Sequence, residues 1–291
     1  MRSPRASFGT ILGALVAIAA AMGFGRFAYT QLLPPMVAQL RLSDLDAAWM
    51  AAANFVGYLL GALAGTHLCA RLNERRVAFG GMLALALTLA ATPLLGLVPW
   101  LVTARLVAGI ESAVIFVAMG ILVFETMARS TAMIAFGGVG AGIFLSAAFL
   151  APLVARGPWQ RGWYAIALAA LLAALTTWRL VPRVQTRVAV GISIAPGIGL
   201  RLVDASYFFQ GIGYIVFATF AVLYLVERGD SHAVASAAWL AVGLGACVGP
   251  WLSGVVAARV GTKAALTLFQ LVEATATIVF ALAPPLLAIP A

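Results

Sequence analysis

Nine long apolar stretches run along this chain of 291 residues, and they restrict what it can fold into more than any other feature. A run of about 20 apolar residues crosses the ~30 Å hydrocarbon layer of a bilayer as a helix. The composition agrees, because 64% of the residues are hydrophobic and only 9% are charged. Segments of about ten residues with alternating polarity, which mark membrane β-barrels, do not occur in the sequence. The sequence therefore predicts an all-α membrane protein, a polytopic helical bundle.

The loops between these stretches carry the basic residues unevenly. The predicted spans lie at about 8–33, 47–69, 77–98, 100–124, 131–153, 162–181, 202–226, 233–257 and 264–284. Twelve basic residues then fall on one side of the bilayer: Arg2, Arg5, Arg71, Arg75, Arg76, Arg129, Arg179, Arg183, Arg187, Arg201, Arg259 and Lys263. Four fall on the other side: Arg41, Arg156, Arg161 and Arg228. The positive-inside rule places the N-terminus in the cytoplasm, so the net charge of +9 reports topology and not nucleic-acid binding.

Part of the sequence recurs at an offset of 188 residues. Gly23 and Gly25 recur as Gly211 and Gly213, Gly57 and Gly61 recur as Gly245 and Gly249, and the turn 71–73 recurs as 259–261. Such a repeat is typical of transporters built from two similar halves. It predicts a six-helix half at 1–181, a cytoplasmic linker at 182–200 and a partial second half of three helices at 201–291. A complete second copy needs about 375 residues in total, so nine of an expected twelve helices are present.

Two motifs resemble those of the major facilitator superfamily, whose members have six plus six helices joined by a cytoplasmic loop. The segment Gly254–Lys263 fits the frame of its Gly-x-x-x-Asp-Arg-x-Gly-Arg-Lys pattern, with Ala258 in place of the aspartate. The first copy, residues 71–76, keeps the basic residues and has Asn73 at the glycine. The resemblance assigns the following residues to this cytoplasmic loop motif: Arg71, Arg75, Arg76, Gly254, Arg259, Gly261 and Lys263. The segment Arg105–Gly109 is similar to the superfamily's Arg-x-x-Gln-Gly pattern, with Ala108 replacing the glutamine.

A longer stretch in the first span resembles one branch of that superfamily. Gly23-Phe24-Gly25-Arg26-Phe27-Ala28-Tyr29-Thr30-Gln31-Leu32-Leu33-Pro34 is similar to the Gly-Arg-Phe-Ala-Tyr-Thr-Pro-Leu-Leu-Pro stretch of the bacterial YbfB/YjiJ-type proteins. The resemblance implies a multi-pass transporter of the bacterial inner membrane and gives no substrate. It also implies that spans one, two and four line a central cavity.

Three polar residues lie at similar depth in those three spans. With ~1.5 Å of rise per residue, Arg26 is about 25 Å, Asn54 about 23 Å and Glu111 about 20 Å from the cytoplasmic ends of their helices. Ionisable groups at such depth usually face a cavity or a partner. We expect Arg26 and Glu111 to face each other, with Asn54 and Tyr29 nearby. In this substrate or proton site Arg26 binds an anionic group and Glu111 is alternately protonated and paired. The alternative is a buried network that only fixes helix packing.

Two further residues are candidates for this site. Arg105 lies near the outer end of its span, where its side chain can either extend to the lipid headgroups or follow the motif into the cavity. Tyr214 occupies the repeat position of Arg26. Glu273 is expected instead to pair with a neighbouring helix, away from the cavity.

The sequence favours a secondary transporter of a small solute that works by alternating access, with proton coupling left open. No metal site is expected, because Cys69, Cys247, His67 and His232 are scattered along the chain, and no cofactor is expected either. The predicted partners are the solute and the lipid bilayer, and protons are left open as a third. One alternative is an inactive truncated fragment of such a transporter. A polytopic membrane enzyme is disfavoured because no catalytic Ser/His/Asp or paired-carboxylate motif is visible.

Overall fold

A computed structural model describes residues 7–154, 157–183 and 198–282 of the chain. The described residues contain no strand, and nine of their helices are long and apolar enough to cross a membrane. This confirms the predicted all-α membrane bundle. The charged residues Arg2, Arg5, Arg156 and Arg187 lie outside the described residues. Most of the predicted linker (184–197) also lies outside them.

The nine helices are numbered here as spans in chain order. Their bounds are Phe8–Leu40, Asp44–Leu72, Glu74–Leu94, Val98–Thr126, Arg129–Val154, Gln160–Leu180, Arg201–Glu227, His232–Val260 and Thr262–Leu282. Span 7 continues a helix that begins at Ile198. Span 1 is longer than predicted, because the helix passes through Pro34 and Pro35 and ends at Leu40. Prolines are tolerated in membrane helices where neighbouring helices pack around the freed carbonyl groups, and Pro34 is buried.

Span 1 changes its winding in the middle. Residues Phe8–Ile18 form an α-helix, Ala19–Phe27 are wound as a π-helix, and Ala28–Leu40 return to an α-helix. The backbone N–H of Ala28 accordingly bonds the carbonyl of Gly23, five residues back. π-Helical turns inside α-helices are rare and frequently mark functional sites. The glycine-rich motif of the sequence lies within this wider segment.

Glycines let the helices of the first six spans approach closely. A Cβ atom on Gly23 would collide with the backbone of Gly142 in span 5. Cβ atoms on Gly57 and Gly61 of span 2 would collide with the carbonyl groups of Leu106 and Ile110 in span 4. This small-residue packing is how membrane helices associate without a hydrophobic driving force between them. The glycine motifs of the sequence thus fix the positions of spans 1, 2, 4 and 5.

The sequence offset of 188 recurs in the backbone. Span 2 (Asp44–Leu72) and span 8 (His232–Val260) have bounds related by that offset, and so do spans 3 and 9. Among the described residues, the two non-glycine residues with positive φ are Arg41 (55°) and Asn73 (77°), and they correspond to Gly229 (99°) and Gly261 (85°). All four lie at turns between spans. The repeat therefore places the same left-handed turns at equivalent points, twice with the glycine that tolerates them best.

The helix caps repeat in the same way. Ser43 caps span 2 by accepting a hydrogen bond of 3.2 Å from the N–H of Asp46. Ser231 caps span 8 by accepting one of 3.3 Å from the N–H of Val234. Both pairs are related by 188 residues, so the local signals that start a helix are conserved between the copies even where the apolar sequence has diverged.

Spans 7 and 8 pack against the first six through a separate apolar cluster. Span 7 lies against the C-terminal part of span 1, and span 8 lies against span 5. The buried residues of this cluster include Phe27 of span 1, Ala147 of span 5, Ala218 of span 7 and Trp239 of span 8. The middle of span 1 is therefore enclosed on one side by spans 2 and 4 and on the other by span 7.

Candidate functional site

Arg105 ties span 4 to the π-helical segment of span 1. Its Nη1 donates to the carbonyl of Gly25 at 3.1 Å and its Nη2 donates to the carbonyl of Arg26 at 3.3 Å. The guanidinium carbon also lies 4.6 Å from the centre of the Tyr29 ring. Arg105 is only 3% exposed, so of the two predicted positions it takes the interior one and does not reach the headgroups. Its planar fork suits two adjacent carbonyls, because its N–H groups are held in a fixed geometry that the flexible ammonium of a lysine lacks.

Arg26 lies among aromatic rings. Its guanidinium carbon is 5.3 Å from the ring centre of Phe27, 5.0 Å from that of Phe55 and 4.6 Å from that of Tyr58. No described residue accepts a hydrogen bond from its side chain, and its Nε is buried without a partner. An arginine at the centre of a membrane-spanning helix costs about 3 kcal/mol on insertion scales, and cation–π contacts offset part of that cost. The rings stabilise the charge while leaving its donors free.

Asn54 and Tyr29 support these two arginines. Asn54 Nδ2 donates to the carbonyl of Arg105 at 2.9 Å, while its Oδ1 is buried and has no partner within the described part of the chain. The Tyr29 hydroxyl donates to the carbonyl of Ala47 at 3.2 Å. Both side chains are about 1% exposed. The predicted proximity of Arg26, Tyr29 and Asn54 is thus present in the structure.

Span 7 closes the other side of the site. The Tyr214 ring meets the Phe27 ring edge-on, with 6.3 Å between the centroids. Thr30 Oγ1 donates a hydrogen bond of 2.6 Å to the carbonyl of Ala218. These contacts join span 1 to span 7 next to Arg26, so the residue at the repeat position of Arg26 also lies at the site.

A small closed cavity lies at the centre of this arrangement. It has room for about one water molecule (about 10 Å³). Its lining is Arg26, Phe27, Tyr29, Thr30, Ala51, Asn54, Phe55, Arg105, Ala218 and Thr219. Three buried atoms of the lining lack hydrogen-bond partners among the described residues, namely the Nε atoms of Arg26 and Arg105 and the Oδ1 of Asn54. Buried polar atoms normally have partners, and a polar guest as small as one water molecule would supply them here.

Glu111 lies apart from the arginines. Its Oε1 accepts a hydrogen bond of 2.9 Å from Thr88 of span 3, and no ion pair joins it to Arg26. The expected pairing of Arg26 with Glu111 is therefore wrong for this conformation. The reason is angular, because six residues separate Glu111 from Arg105 and correspond to about 240° around the helix. When Arg105 faces span 1, Glu111 must face elsewhere. Its Oε2 is buried without a described partner.

A family model covers most of this chain. The model of the family described as "Uncharacterised MFS-type transporter YbfB" matches residues 18–290. The chain belongs to this family. None of the curated proteins compared with it matches significantly. The YbfB-type sequence therefore identifies a membrane transporter of the major facilitator type, as the motifs in span 1 predict.

A solved structure agrees with the fold of this YbfB-type chain. The crystal structure of a D-xylose-proton symporter superposes with a TM-score of 0.60 at 16% sequence identity. The match covers 86% of this chain and 70% of the symporter chain. At that identity the likeness concerns the fold alone, which is that of a major-facilitator-type helical bundle.

The cytoplasmic loop motif of the YbfB-type chain is placed at two equivalent turns. Arg75 donates to the carbonyl of Trp178 in span 6, and its guanidinium carbon lies 4.0 Å from the centre of that ring. The other basic residues of the motif are exposed, namely Arg71, Arg76, Arg259 and Lys263. Gly261 adopts the left-handed turn, and Gly254 lies near Met133 of span 5. Only Arg75 among these predicted residues connects helices of the first six spans.

Sequence reasoning missed the aromatic residues around Arg26. Tyr58 follows Asn54 by four residues and Phe55 by three, so a helix places Tyr58 on the same face as each of them, and this spacing is the signal in the sequence. Glu273 does pair with a neighbouring helix as expected, since it accepts a hydrogen bond of 2.9 Å from Gln210 in span 7. Within the described residues, no group of Cys, His, Asp and Glu is arranged to hold a metal.

Proposed function

We propose that this YbfB-type protein is a secondary transporter that carries a small solute through the cavity beside Arg26 by alternating access. The observation that carries the proposal is the set of unpartnered polar atoms around a cavity in the membrane interior. A purely structural network would satisfy its own donors and acceptors, because unpaired buried groups are costly. A guest that supplies the missing partners resolves that cost.

The position of the cavity between repeat-related helices supports this mechanism. Spans 1 and 7 carry equivalent parts of the repeat and meet beside the site through Thr30 and Ala218. With the N-terminus in the cytoplasm, that contact closes the outer side of the cavity. Rocking of the two halves would separate spans 1 and 7 there and open the site to the outside. We place the protein in the bacterial inner membrane, on the strength of the resemblance and the positive-inside bias.

Glu111 is the proposed proton-carrying group. Its carboxyl lies in the membrane interior, has one described partner in Thr88 and forms no pair with the arginines of the site. A carboxyl of this kind gains and loses a proton without breaking an ion pair. The proton on Glu111 and the solute beside Arg105 would then occupy separate sites. Because span 4 carries both residues, a movement of this helix would couple protonation to solute binding.

Transport by purified protein in lipid vesicles tests the proposal. Radiolabelled solutes are screened for uptake driven by an imposed proton gradient. Arg26→Ala is expected to abolish uptake, and Glu111→Gln to abolish gradient-driven accumulation while leaving solute exchange. The matched controls are Arg179→Ala and Glu125→Gln, which change exposed residues of the same types. Wild-type-like accumulation in both site variants, or no uptake of any solute by the wild type, would count against transport through this site.

A further inference from the structure

The charge of the central cavity is one-sided. Two arginines line it, and no acidic residue contributes to its lining within the described segments. Glu111, the acidic residue that the sequence predicts beside Arg26, accepts a hydrogen bond from Thr88 of span 3 instead. A membrane interior does not leave two cations without compensation. Aromatic rings around Arg26 and two carbonyls at Arg105 compensate in part, but neither brings a negative charge.

The unpartnered N–H donors of the two arginines indicate what kind of acceptor would bind in the cavity. Arg26 offers its whole guanidinium edge, because none of its nitrogens donates to a described residue. Arg105 offers a buried Nε without a partner, while one N–H of each of its two Nη atoms donates to a carbonyl of span 1. A planar guanidinium recognises a forked pair of oxygens through two parallel hydrogen bonds. An acceptor with two oxygens and a negative charge fits this set of donors.

We propose that the solute is a small organic carboxylate, bound with its carboxyl group on Arg26 and within reach of Arg105. This inference rests on the proposed transport through the same cavity. Most of the remaining lining is apolar or aromatic, with Ala51, Phe55 and Ala218 around the donors. The hydroxyl of Thr30, which also lines the cavity, already donates to the carbonyl of Ala218. Such a lining suits a short carbon skeleton better than a polyol or a fully hydrated inorganic ion. The Oδ1 of Asn54 then accepts from a hydroxyl or amide group of the solute.

The size of the cavity adds a condition to binding. Room for about one water does not admit a carboxylate, so the anion enters only when the walls separate. Within the described residues, the wall formed by span 7 is held to span 1 by one hydrogen bond, from Thr30 to the carbonyl of Ala218. Carboxylate binding is therefore linked to a more open state, and the ligand stabilises that state over the closed one.

Thermal unfolding of the purified chain with paired ligands tests the inference. The probes are acetate, lactate, succinate and benzoate, each compared with its neutral amide at constant ionic strength, with tetramethylammonium as a cation. At least one carboxylate is expected to raise Tm by about 2–4 °C at saturating concentration, and its amide is not. Equal shifts with acid and amide would overturn the inference, as would the absence of a shift with every carboxylate.

Variants of the arginine assign the effect to the site. Arg26→Gln is expected to weaken carboxylate binding by about 10- to 100-fold, because it removes a charge-assisted contact made through two hydrogen bonds. Arg26→Lys keeps the positive charge without the planar guanidinium, so its carboxylate affinity is expected to lie between those of the wild type and Arg26→Gln. If Arg26→Gln does not fold, the affinity of Arg26→Lys tests the inference. Arg179→Gln, at the exposed end of span 6, is the control and is expected to bind as the wild type. Undiminished binding in both Arg26 variants would contradict the inference.

Vesicle uptake separates this inference from the proposed function. Uptake of a neutral solute that persists in Arg26→Gln would defeat the carboxylate inference and leave transport intact. Carboxylate binding that depends on Arg26, without any uptake into vesicles, would support the inference and defeat transport.

Discussion

Thr30 Oγ1 donates a hydrogen bond of 2.6 Å to the carbonyl of Ala218, and the two residues are 188 positions apart, the offset of the internal repeat. Equivalent residues of two similar halves meet each other only close to the axis that relates the halves. Their contact therefore marks the pseudo-twofold axis between spans 1 and 7. The cavity beside Arg26 lies at this axis, since Thr30 and Ala218 both contribute to its lining.

Removing the hydroxyl at this axis is expected to loosen the closed state. Thr30→Val keeps the volume and loses the hydrogen bond, which is worth about 1 kcal/mol. Span 7 should then separate from span 1 more readily, so a cysteine introduced at Gln31 should react faster with an impermeant maleimide. Thr30→Ser restores the donor and serves as the control. An unchanged labelling rate in Thr30→Val would show that the bond does not hold the two spans together.

Loss of Arg105 is expected to reduce stability. Arg105→Gln removes charge-assisted hydrogen bonds to two carbonyls of the π-helical segment and is expected to lower the free energy of unfolding by about 2–3 kcal/mol. Arg105→Lys reaches one carbonyl and should lose less. Thermal unfolding followed by tryptophan fluorescence measures both. If Arg105→Gln were as stable as the wild type, the hydrogen bonds from Arg105 to span 1 would not contribute to stability.

The repeat supplies a matched pair of glycine substitutions. Gly61→Ala drives a methyl group into the backbone of Ile110 and is expected to destabilise the chain by about 1–3 kcal/mol. Gly249 is its repeat equivalent, and a Cβ there meets no described atom within 4 Å. Gly249→Ala is therefore expected to be neutral or slightly stabilising in the same chain. The Tm values of the two variants are compared with that of the wild type. Equal decreases in Tm would mean that the close contact at Gly61 does not contribute to stability.

Arg75 is expected to hold spans 3 and 6 together. Its side chain donates to the Trp178 carbonyl and covers a ring that also packs against Phe79, with 4.6 Å between the two ring centroids. Arg75→Ala should lower Tm by about 2–4 °C, whereas the same change at exposed Arg76 should leave it near the wild-type value. Similar losses in both variants would indicate a general charge effect and no specific contact.

The nine spans, the repeat and the depth of Arg26 and Asn54 were predictable, because length, apolarity and rise per residue are read from the sequence alone. The rotation of each helix about its axis was not. The sequence predicts that Glu111 and Arg26 face each other from similar depth, yet Glu111 faces Thr88 because Arg105 sets the rotation of span 4 about its axis. The π-helical winding of Ala19–Phe27 also rotates the side chains of span 1 relative to an α-helix, and the periodicity of the sequence does not predict it.

That winding has a mechanical consequence for span 1. A π-helical turn holds about one residue more than an α-helical turn, so converting one to the other passes a single residue along the helix. The helix beyond it then rotates by about 100° and advances by about 1.5 Å. Tyr29 and Thr30 lie just beyond the segment, and Arg26 lies within it. Span 1 can in this way change which side chains it presents to the axis by rewinding, while its backbone remains continuously hydrogen-bonded.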